Sequence, residues 1–214
     1  MDDDVLVATR RSLHAVAEAV LAGPQYRQHG TIRLGVTPGG FGQVKGSLRV
    51  DGQHLVAGGV RLPLAGTVAD LAAKAGVEAG APEGLYHDRA DLALTDELTI
   101  DPGAAELLLG WFARGDRALR TFAPEIEPVL WPEHCDLGIQ VDEVNFGVSP
   151  GDRGYPRPYA YVVPFTPREG AFWNAPFGAQ RYADDLADAE AVVAFFAEGR
   201  EAAARSGPPI RVAD

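Results

Sequence analysis

Cysteine is almost absent from this sequence, since Cys135 is the only one among 214 residues. A single cysteine cannot form an internal disulfide, and it cannot supply the paired thiolates of a Cys-x-x-Cys zinc site. Disulfides are typical of secreted domains, whereas a lone thiol is typical of a reducing compartment. We therefore predict a cytoplasmic protein.

Positive charge and long apolar runs are also scarce. Nineteen Lys and Arg residues stand against thirty Asp and Glu residues, which gives a formal net charge of -11. Such a chain repels the phosphates of nucleic acid and anionic membrane surfaces. No apolar run reaches the roughly 18 residues of a membrane span, and the start of the chain, with Asp2 to Asp4, lacks the basic region of a secretory signal. We expect neither nucleic acid nor a membrane as a partner.

What the sequence does contain is enough apolar material for a large core, with 46% hydrophobic residues. Helical periodicity is found in four segments, and strand-like runs lie between them in two groups. The predicted helices cover 2–23, 67–76, 101–124 and 183–204. The strand-like runs lie within 31–64 and at 135–141, 144–149 and 159–165, with 92–94 as an edge strand.

These runs are joined by tight turns such as Asp51-Gly52, and they do not alternate with helices. This order favours an α+β fold, in which a largely antiparallel sheet packs with about four helices. The strand-then-helix layout occurs twice along the chain. We therefore predict one domain over 1–214, with either two repeated halves, 1–122 and 123–214, or one continuous sheet.

The stretch from 129 to 150, "VLWPEHCDLGIQVDEVNFGVSP", predicts a hairpin with a chemically unusual face. If Asp142 and Glu143 form a two-residue turn, Val141 opposes Val144 and Gly138 opposes Gly147. Paired glycines leave backbone that another group can approach closely. The face around them is expected to carry His134, Asp136, Gln140, Asn145 and Ser149. It is either the floor of a pocket or a polar surface facing solvent.

Three residues of this stretch are candidates for catalysis: Glu133, His134 and Asp136. His134 and Asp136 lie two residues apart, so on one strand they point the same way. The carboxylate can then orient the imidazole as a general base, or both groups can approach one metal ion. A metal site needs a third ligand, such as Glu133, Glu143 or His87. Metal and cofactor therefore stay open.

Covalent catalysis is not indicated by the sequence. No GxSxG nucleophile elbow is present, and strand alternation turns Cys135 toward the core. A buried cysteine is therefore expected rather than a nucleophile.

The segment from Gly151 to Tyr182 is rich in aromatic residues and proline, and its part "FWNAPFG", at 172–178, has neither helical nor strand period. Its rings can form the apolar walls of a pocket, with polar tips from tyrosine hydroxyls and an amide. Alternatively, the rings cover one end of the sheet. The predicted ligand-binding residues are Asn145, Ser149, Tyr159, Tyr161, Trp173 and Asn174.

The motifs "LWPEHCDLGI", "VNFGVSPGDRGYPRPYAYVVPF" and "FWNAPFGA" resemble those of an uncharacterised, mainly actinobacterial family. That family is a domain of unknown function with a Trp-Pro-Glu-His-x-Asp-Leu signature, which would lie here at 131–137. Its members tend to carry an aromatic residue and an alanine where this chain has Cys135 and Gly138. The resemblance implies no established activity, so it assigns no catalytic residue.

Three functions are consistent with these patterns. The first is a small-molecule-binding protein with a polar and aromatic pocket. The second is a hydrolase-like or isomerase-like enzyme with His134 as general base, with or without a metal. The third is a non-enzymatic interaction module that presents the aromatic segment or an acidic helix to another protein. The sequence leaves the oligomeric state open.

Overall fold

The computed structural model of the chain describes residues 2–86 and 89–205. Helices and strands follow one another in the order expected for an α+β fold. The helices are α1 (Asp3–Ala15), which continues through a π-helical segment (Val16–Ala22) into α2 (Gly23–His29), then α3 (Val68–Lys74), α4 (Pro102–Phe122) and α5 (Ala189–Arg205). The strands are β1 (Leu34–Thr37), β2 (Gly40–Gln43), β3 (Arg49–Asp51), β4 (His54–Ala57), β5 (Val60–Pro63), β6 (Val129–Trp131), β7 (Asp136–Val141), β8 (Val144–Ser149), β9 (Tyr159–Pro164) and β10 (Ala179–Tyr182).

All of these strands belong to one sheet in the order β10-β9-β8-β7-β6-β1-β2-β3-β4-β5. Every neighbouring pair is antiparallel, so the predicted α+β class with a largely antiparallel sheet is confirmed. The sheet consists of two five-stranded meanders that meet where β1 pairs with β6, at Leu34 and Leu130. One meander lies within 1–122 and the other within 123–214.

The helices pack on one face of this sheet. Helix α4 crosses its centre and contacts β1, β2, β7 and β8, while α5 lies beside α4 and contacts β8 and β9. The close approach of α4 to β8 depends on Gly115, because a Cβ atom at this position would collide with Val148 of β8. Between the two layers lie rings such as Phe112, Phe146 and Phe196, all fully buried. The opposite face of β6 to β9 therefore has no helix packed against it within the described part of the chain.

Side-chain caps mark the starts of α3 and α4. Asp101 accepts a hydrogen bond from Ala104 N at 2.9 Å and precedes Pro102, which suits the first turn of α4 because proline has no N–H. Thr67 caps α3 in the same way, accepting from Asp70 N at 3.1 Å. These side chains satisfy backbone donors that have no partner inside a helix.

The predicted end of the first helix at Gly23 is wrong, since the helix runs to His29. Pro24 removes one N–H donor, but it lies in the first turn of α2, directly after a π-helical segment whose bonds already depart from the α pattern. Gly23 is helical, and a Cβ there would collide with the Gly80 carbonyl. Gly30, with φ of 68°, supplies the left-handed residue that ends the helix.

Three other boundaries differ from the sequence predictions. Residues 92–94 form no strand, and the run 43–50 is split by a bend between β2 and β3. The last helix begins at Ala189, after a 3₁₀ turn at Ala183–Asp185. Strands β6 and β10 were not predicted, because three and four residues are too short for a clear period of two. No helix of the described residues is long and apolar enough to cross a membrane.

Candidate functional site

The β7–β8 hairpin has the predicted register. Val141 pairs with Val144, and Gly138 pairs with Gly147. The two turn residues Asp142 and Glu143 have φ of 50° and 61°, as a two-residue turn of the primed type requires. The apolar residues of both strands therefore point to the helices: Leu137, Ile139, Phe146 and Val148. The polar residues of both strands point to the opposite face of β6 to β9, which we call the open face.

The glycine pair on that face is covered by a tyrosine of the next strand. Tyr161 of β9 pairs with Gly147 of β8, and its ring extends over Gly147 to Gly138. A Cβ atom at Gly147 would collide with the tyrosine ring, and one at Gly138 would lie 2.7 Å from its hydroxyl oxygen. The two glycines therefore provide the space in which this ring lies.

At the far side of the glycines, the Tyr161 hydroxyl donates a hydrogen bond to Oδ2 of Asp136 on β7. Burial raises the pKa of Asp136 above its usual range, while the bond from Tyr161 partly opposes this by stabilising the carboxylate. Burial and the charge of Asp136 raise the pKa of Tyr161 well above its usual value, so the phenol keeps its proton at neutral pH.

A second tyrosine holds the loop between β8 and β9. Tyr159 donates to Oδ2 of Asp152 at 2.5 Å, and Oδ1 of Asp152 accepts from the amides of Gly154 and Tyr155 at 2.6 and 2.8 Å. The Ser149 hydroxyl accepts from the amide of Gly151 at 3.1 Å. The rings of Tyr155, Tyr159 and Phe177 contact one another, with centroids 5.5 to 6.2 Å apart. These hydrogen bonds and ring contacts therefore fix the loop between β8 and β9 at this end of the sheet.

His134 does not lie on the strand as predicted. Residues 132–135 form the turn between β6 and β7, because β7 begins only at Asp136. The His134 side chain is 58% exposed, with Nε2 3.9 Å from Oε1 of Glu133. Within the described residues, the hydrogen bond to the Asp136 carboxylate comes from Tyr161 and not from His134. Strand alternation fails here because a turn does not follow it.

Cys135 is buried, as predicted, but for a different reason from the one expected. It lies in the turn with φ of 52° rather than on the inward side of a strand. Burial and the neighbouring charge of Asp136 raise the pKa of its thiol to about 12. The thiol is therefore protonated at neutral pH, which disfavours a nucleophilic role.

Above the open face lies a cavity of about 1230 Å³. Strands β6 to β9 form its floor, and the turn 132–135, the loop 149–153 and the segment 89–91 border it. Seven of the nine predicted site residues line this cavity: Glu133, His134, Asp136, Asn145, Ser149, Tyr159 and Tyr161.

The other two predicted site residues do not line this cavity. Trp173 packs edge-on against Phe172 at 4.9 Å, and Phe172 contacts Phe195 of α5 on the helical face. Asn174 exchanges two hydrogen bonds with the backbone of Gln180 at 2.9 and 3.0 Å, so it fixes the start of β10. Composition alone could not separate these residues from Tyr159 and Tyr161, because strand pairing decides which face each occupies.

Comparison with protein-family models, curated proteins and solved structures finds no match to this chain. The family resemblance of the Trp-Pro-Glu-His-x-Asp-Leu stretch therefore stays a prediction.

The sequence interpretation missed the contribution of distant segments to the cavity. Helix α1 contributes three basic side chains, and further ones come from the start of β1, from 89–91 and from the loop after β8. These residues are Arg10, Arg11, His14, Arg33, Arg89 and Arg153. The spacing of Arg10, Arg11 and His14 does place them on neighbouring parts of one helix surface. Nothing in the sequence indicates that this surface borders the β6–β7 turn.

His14 connects α1 to that turn. Its Nε2–H donates to the Pro132 carbonyl at 2.8 Å, which fixes the tautomer. Burial lowers the pKa of His14, and the neighbouring His134 lowers it further. His14 is therefore a neutral anchoring group at neutral pH.

The described residues do not form a metal site around His134 and Asp136. No group of three or more His, Cys, Asp or Glu residues within 2–86 and 89–205 is arranged to hold a metal ion. Glu143 lies in the turn at the other end of β7 from Asp136. His87 lies outside the described residues.

Proposed function

We propose that the protein binds a small molecule in the cavity on the open face of β6 to β9. The observation that carries this proposal is the half-buried Asp136–Tyr161 pair on the floor of a cavity of about 1230 Å³. Small-molecule sites are concave and have a few polar groups that converge on the ligand, with typical volumes of about 300–1,000 Å³. The cavity is large enough for such a ligand.

The composition of the floor supports this proposal. The Tyr161 ring, Val129 and Val163 provide apolar surface, while Asp136 and Asn145 provide polar atoms. A partly buried carboxylate is costly unless it has partners, and an apolar residue at that position would avoid the cost. A recognition role would explain why a carboxylate lies there.

A second candidate function is acid–base catalysis in the same cavity. It is favoured by the raised pKa of Asp136, because burial makes this carboxyl group a weaker acid than a surface carboxylate, and a raised pKa is typical of carboxyl groups that transfer protons. In this version, the predicted general base His134 would act from the rim of the cavity, where its Nε2 lies 3.9 Å from Oε1 of Glu133. The proposal does not assign a reaction.

The interaction-module alternative is less well supported. An interaction surface formed by the aromatic segment would need its rings to be exposed as a contiguous apolar patch. Tyr155, Tyr159 and Phe177 instead contact one another at the end of the sheet, and Phe172 and Trp173 pack against the core. These contacts favour the pocket.

Native mass spectrometry of the full chain, incubated with the small-molecule fraction of its own cell extract, tests the proposal. Gln140 is exposed on β7 and lines the cavity, so Gln140→Trp places a large ring in the opening. Gln53→Trp, in the exposed β3–β4 turn, is the matched control. We expect wild type and the control to retain an added mass that Gln140→Trp does not retain. A wild-type chain without added mass, or equal retention by all three proteins, contradicts the proposal.

A further inference from the structure

Arginine is concentrated around the cavity, in a chain that is otherwise acidic. Of 19 basic residues, Lys45 and Lys74 are the only lysines, which leaves 17 arginines, and the net charge is -11. Five arginines from four separate segments border this one cavity: Arg10, Arg11, Arg33, Arg89 and Arg153. Five Asp and Glu residues line the same cavity, so its formal charge is balanced while the whole chain carries -11. The arginines therefore make the cavity less negative than the rest of the chain, which favours a negatively charged ligand there.

Carboxylates also line the cavity, but each has a partner on the protein. The Asp152 carboxylate accepts hydrogen bonds from Tyr159 and from two backbone amides, and the Asp136 carboxylate accepts one from Tyr161. Asp91 forms an ion pair with Arg153, and this pairing lowers the pKa of Asp91. The remaining two are Glu127, which pairs with Arg120 at 2.6 Å, and Glu133, which lies 3.9 Å from His134. These partners reduce the repulsion that an entering anion would meet.

Four of these arginines have guanidinium N–H donors that no carboxylate of the described residues accepts. Among the described residues, no carboxylate forms an ion pair with Arg10, Arg11, Arg33 or Arg89. Arg10 donates to the Pro156 carbonyl at 2.9 Å, and Arg11 lies 3.4 Å from the Asp91 carbonyl. Arg33 lies over the Trp131 ring, 5.7 Å from its centroid. Since a guanidinium has five N–H donors, these contacts position the groups and leave other donors available.

Building on the proposed function, we propose that the ligand is a small anion that carries a carboxylate or phosphate group. The guanidinium groups of Arg10, Arg11 and Arg89 bind that group at the α1 side of the cavity, and Arg33 on Trp131 binds from the β1 side. A guanidinium matches two oxygens of a carboxylate or phosphate with two parallel N–H groups. The Asp136–Tyr161 pair contacts the rest of the ligand on the floor.

Isothermal titration calorimetry of the full chain at fixed ionic strength tests this inference, with citrate and inorganic phosphate as the anionic probes. Glucose is the neutral probe. The test variant is Arg11→Gln with Arg89→Gln, both exposed cavity arginines whose loss leaves the core unchanged. The matched control is Arg117→Gln with Arg205→Gln, which removes the same charge from exposed positions outside the cavity.

We expect saturable binding of citrate or phosphate to wild type and to the control, and affinity weakened by about tenfold or more in the test variant. Citrate binding alone identifies a carboxylate ligand, and phosphate binding alone identifies a phosphate ligand. The inference is overturned if neither anion binds, or if the test variant binds as tightly as the control. Retention of a neutral mass that Gln140→Trp abolishes, without anion binding, overturns the inference and leaves the proposed function intact.

Discussion

The hydroxyl of Tyr161 on β9 reaches Asp136 on β7 although β8 lies between the two strands. The contact is available because the strand that the ring crosses has Gly147 at the crossing point, and the strand beyond it has Gly138. An aromatic ring that covers a cross-strand glycine compensates for the missing side-chain packing. The glycine pair, the tyrosine and the aspartate thus form one structural unit.

That unit predicts energetic coupling between Gly138 and Tyr161. Gly138→Ala should destabilise the protein by about 1–3 kcal/mol, because the new methyl group overpacks against the tyrosine hydroxyl. Tyr161→Phe removes that oxygen, so the double variant should lose less free energy of unfolding than the sum of the single variants. Urea unfolding of the four proteins measures the coupling.

Gly110→Ala on α4 is the control for this cycle, since nothing lies within 4 Å of a Cβ atom there. Its effect should add to that of Tyr161→Phe without coupling. Strict additivity of Gly138→Ala with Tyr161→Phe would contradict the packing described for the ring.

Asp136 should make stability depend on pH in a specific direction. Burial raises its pKa above the usual 3.8, so the folded chain holds this proton more tightly than the unfolded chain. The stability that the protonated Asp136 contributes is therefore fully present below pH 3.8, and it is lost as pH rises through the raised pKa of the folded state. Asp136→Asn has no such loss, so it should gain stability relative to wild type as pH rises toward neutral.

Thermal unfolding at a series of pH values measures this difference. Asp185→Asn removes an exposed carboxylate of the 3₁₀ turn and should show no comparable trend. A difference between Asp136→Asn and wild type that stays constant with pH, or that changes in the opposite direction, would count against a buried carboxyl group at this position.

His14 should make stability depend on pH in the opposite direction to Asp136. Burial lowers its pKa below the usual 6.5, so the unfolded chain takes up this proton first. Its contribution to stability is present above pH 6.5 and is lost as pH falls from there through the lower folded-state pKa. His14→Gln keeps a donor for the Pro132 carbonyl and should lose less stability than wild type on acidification.

Chemical denaturation on either side of pH 6.5 distinguishes the two proteins. His29→Gln, at an exposed position at the end of α2, is the matched control and should follow wild type. If His14→Gln also follows wild type, the imidazole is not held neutral by burial.

His134 should contribute little to stability, whatever its function. Its side chain is 58% exposed in a turn, so His134→Ala should change the free energy of unfolding by no more than about 0.5 kcal/mol. Differential scanning calorimetry measures this effect. A large loss of thermal stability would identify His134 as a structural residue and would remove it from the acid–base candidate.

The sequence predicted the hairpin well because both of its determinants are local. Alternation set the inward residues Leu137 and Phe146, and two residues in the left-handed region set the turn. It could not predict that Tyr161 fills the space over the glycines, because this depends on how β9 pairs with β8. The position of His134 was wrong for another reason: β7 begins only at Asp136, so the strand alternation assumed for His134 does not extend to it.

The arginine lining of the cavity could not be predicted from the sequence, because tertiary contacts bring these residues together. Arg10, Arg33 and Arg89 are separated along the chain, and each is an ordinary exposed arginine in its local sequence. They border one cavity only because α1 packs behind the β6–β7 turn and because β1 joins β6 at the centre of the sheet. No local pattern predicts either contact.

The most direct test of the ligand site is amide NMR of the isotope-labelled chain during titration with pools of fragment-sized carboxylates, phosphates and neutral polyols. We expect at least one pool to shift the amide signals of β6 to β9 saturably, Gln140→Trp to abolish these shifts, and Gln53→Trp to preserve them. Shifts that arise only outside β6 to β9, that persist in Gln140→Trp, or that are absent for every pool would contradict a ligand site on this face.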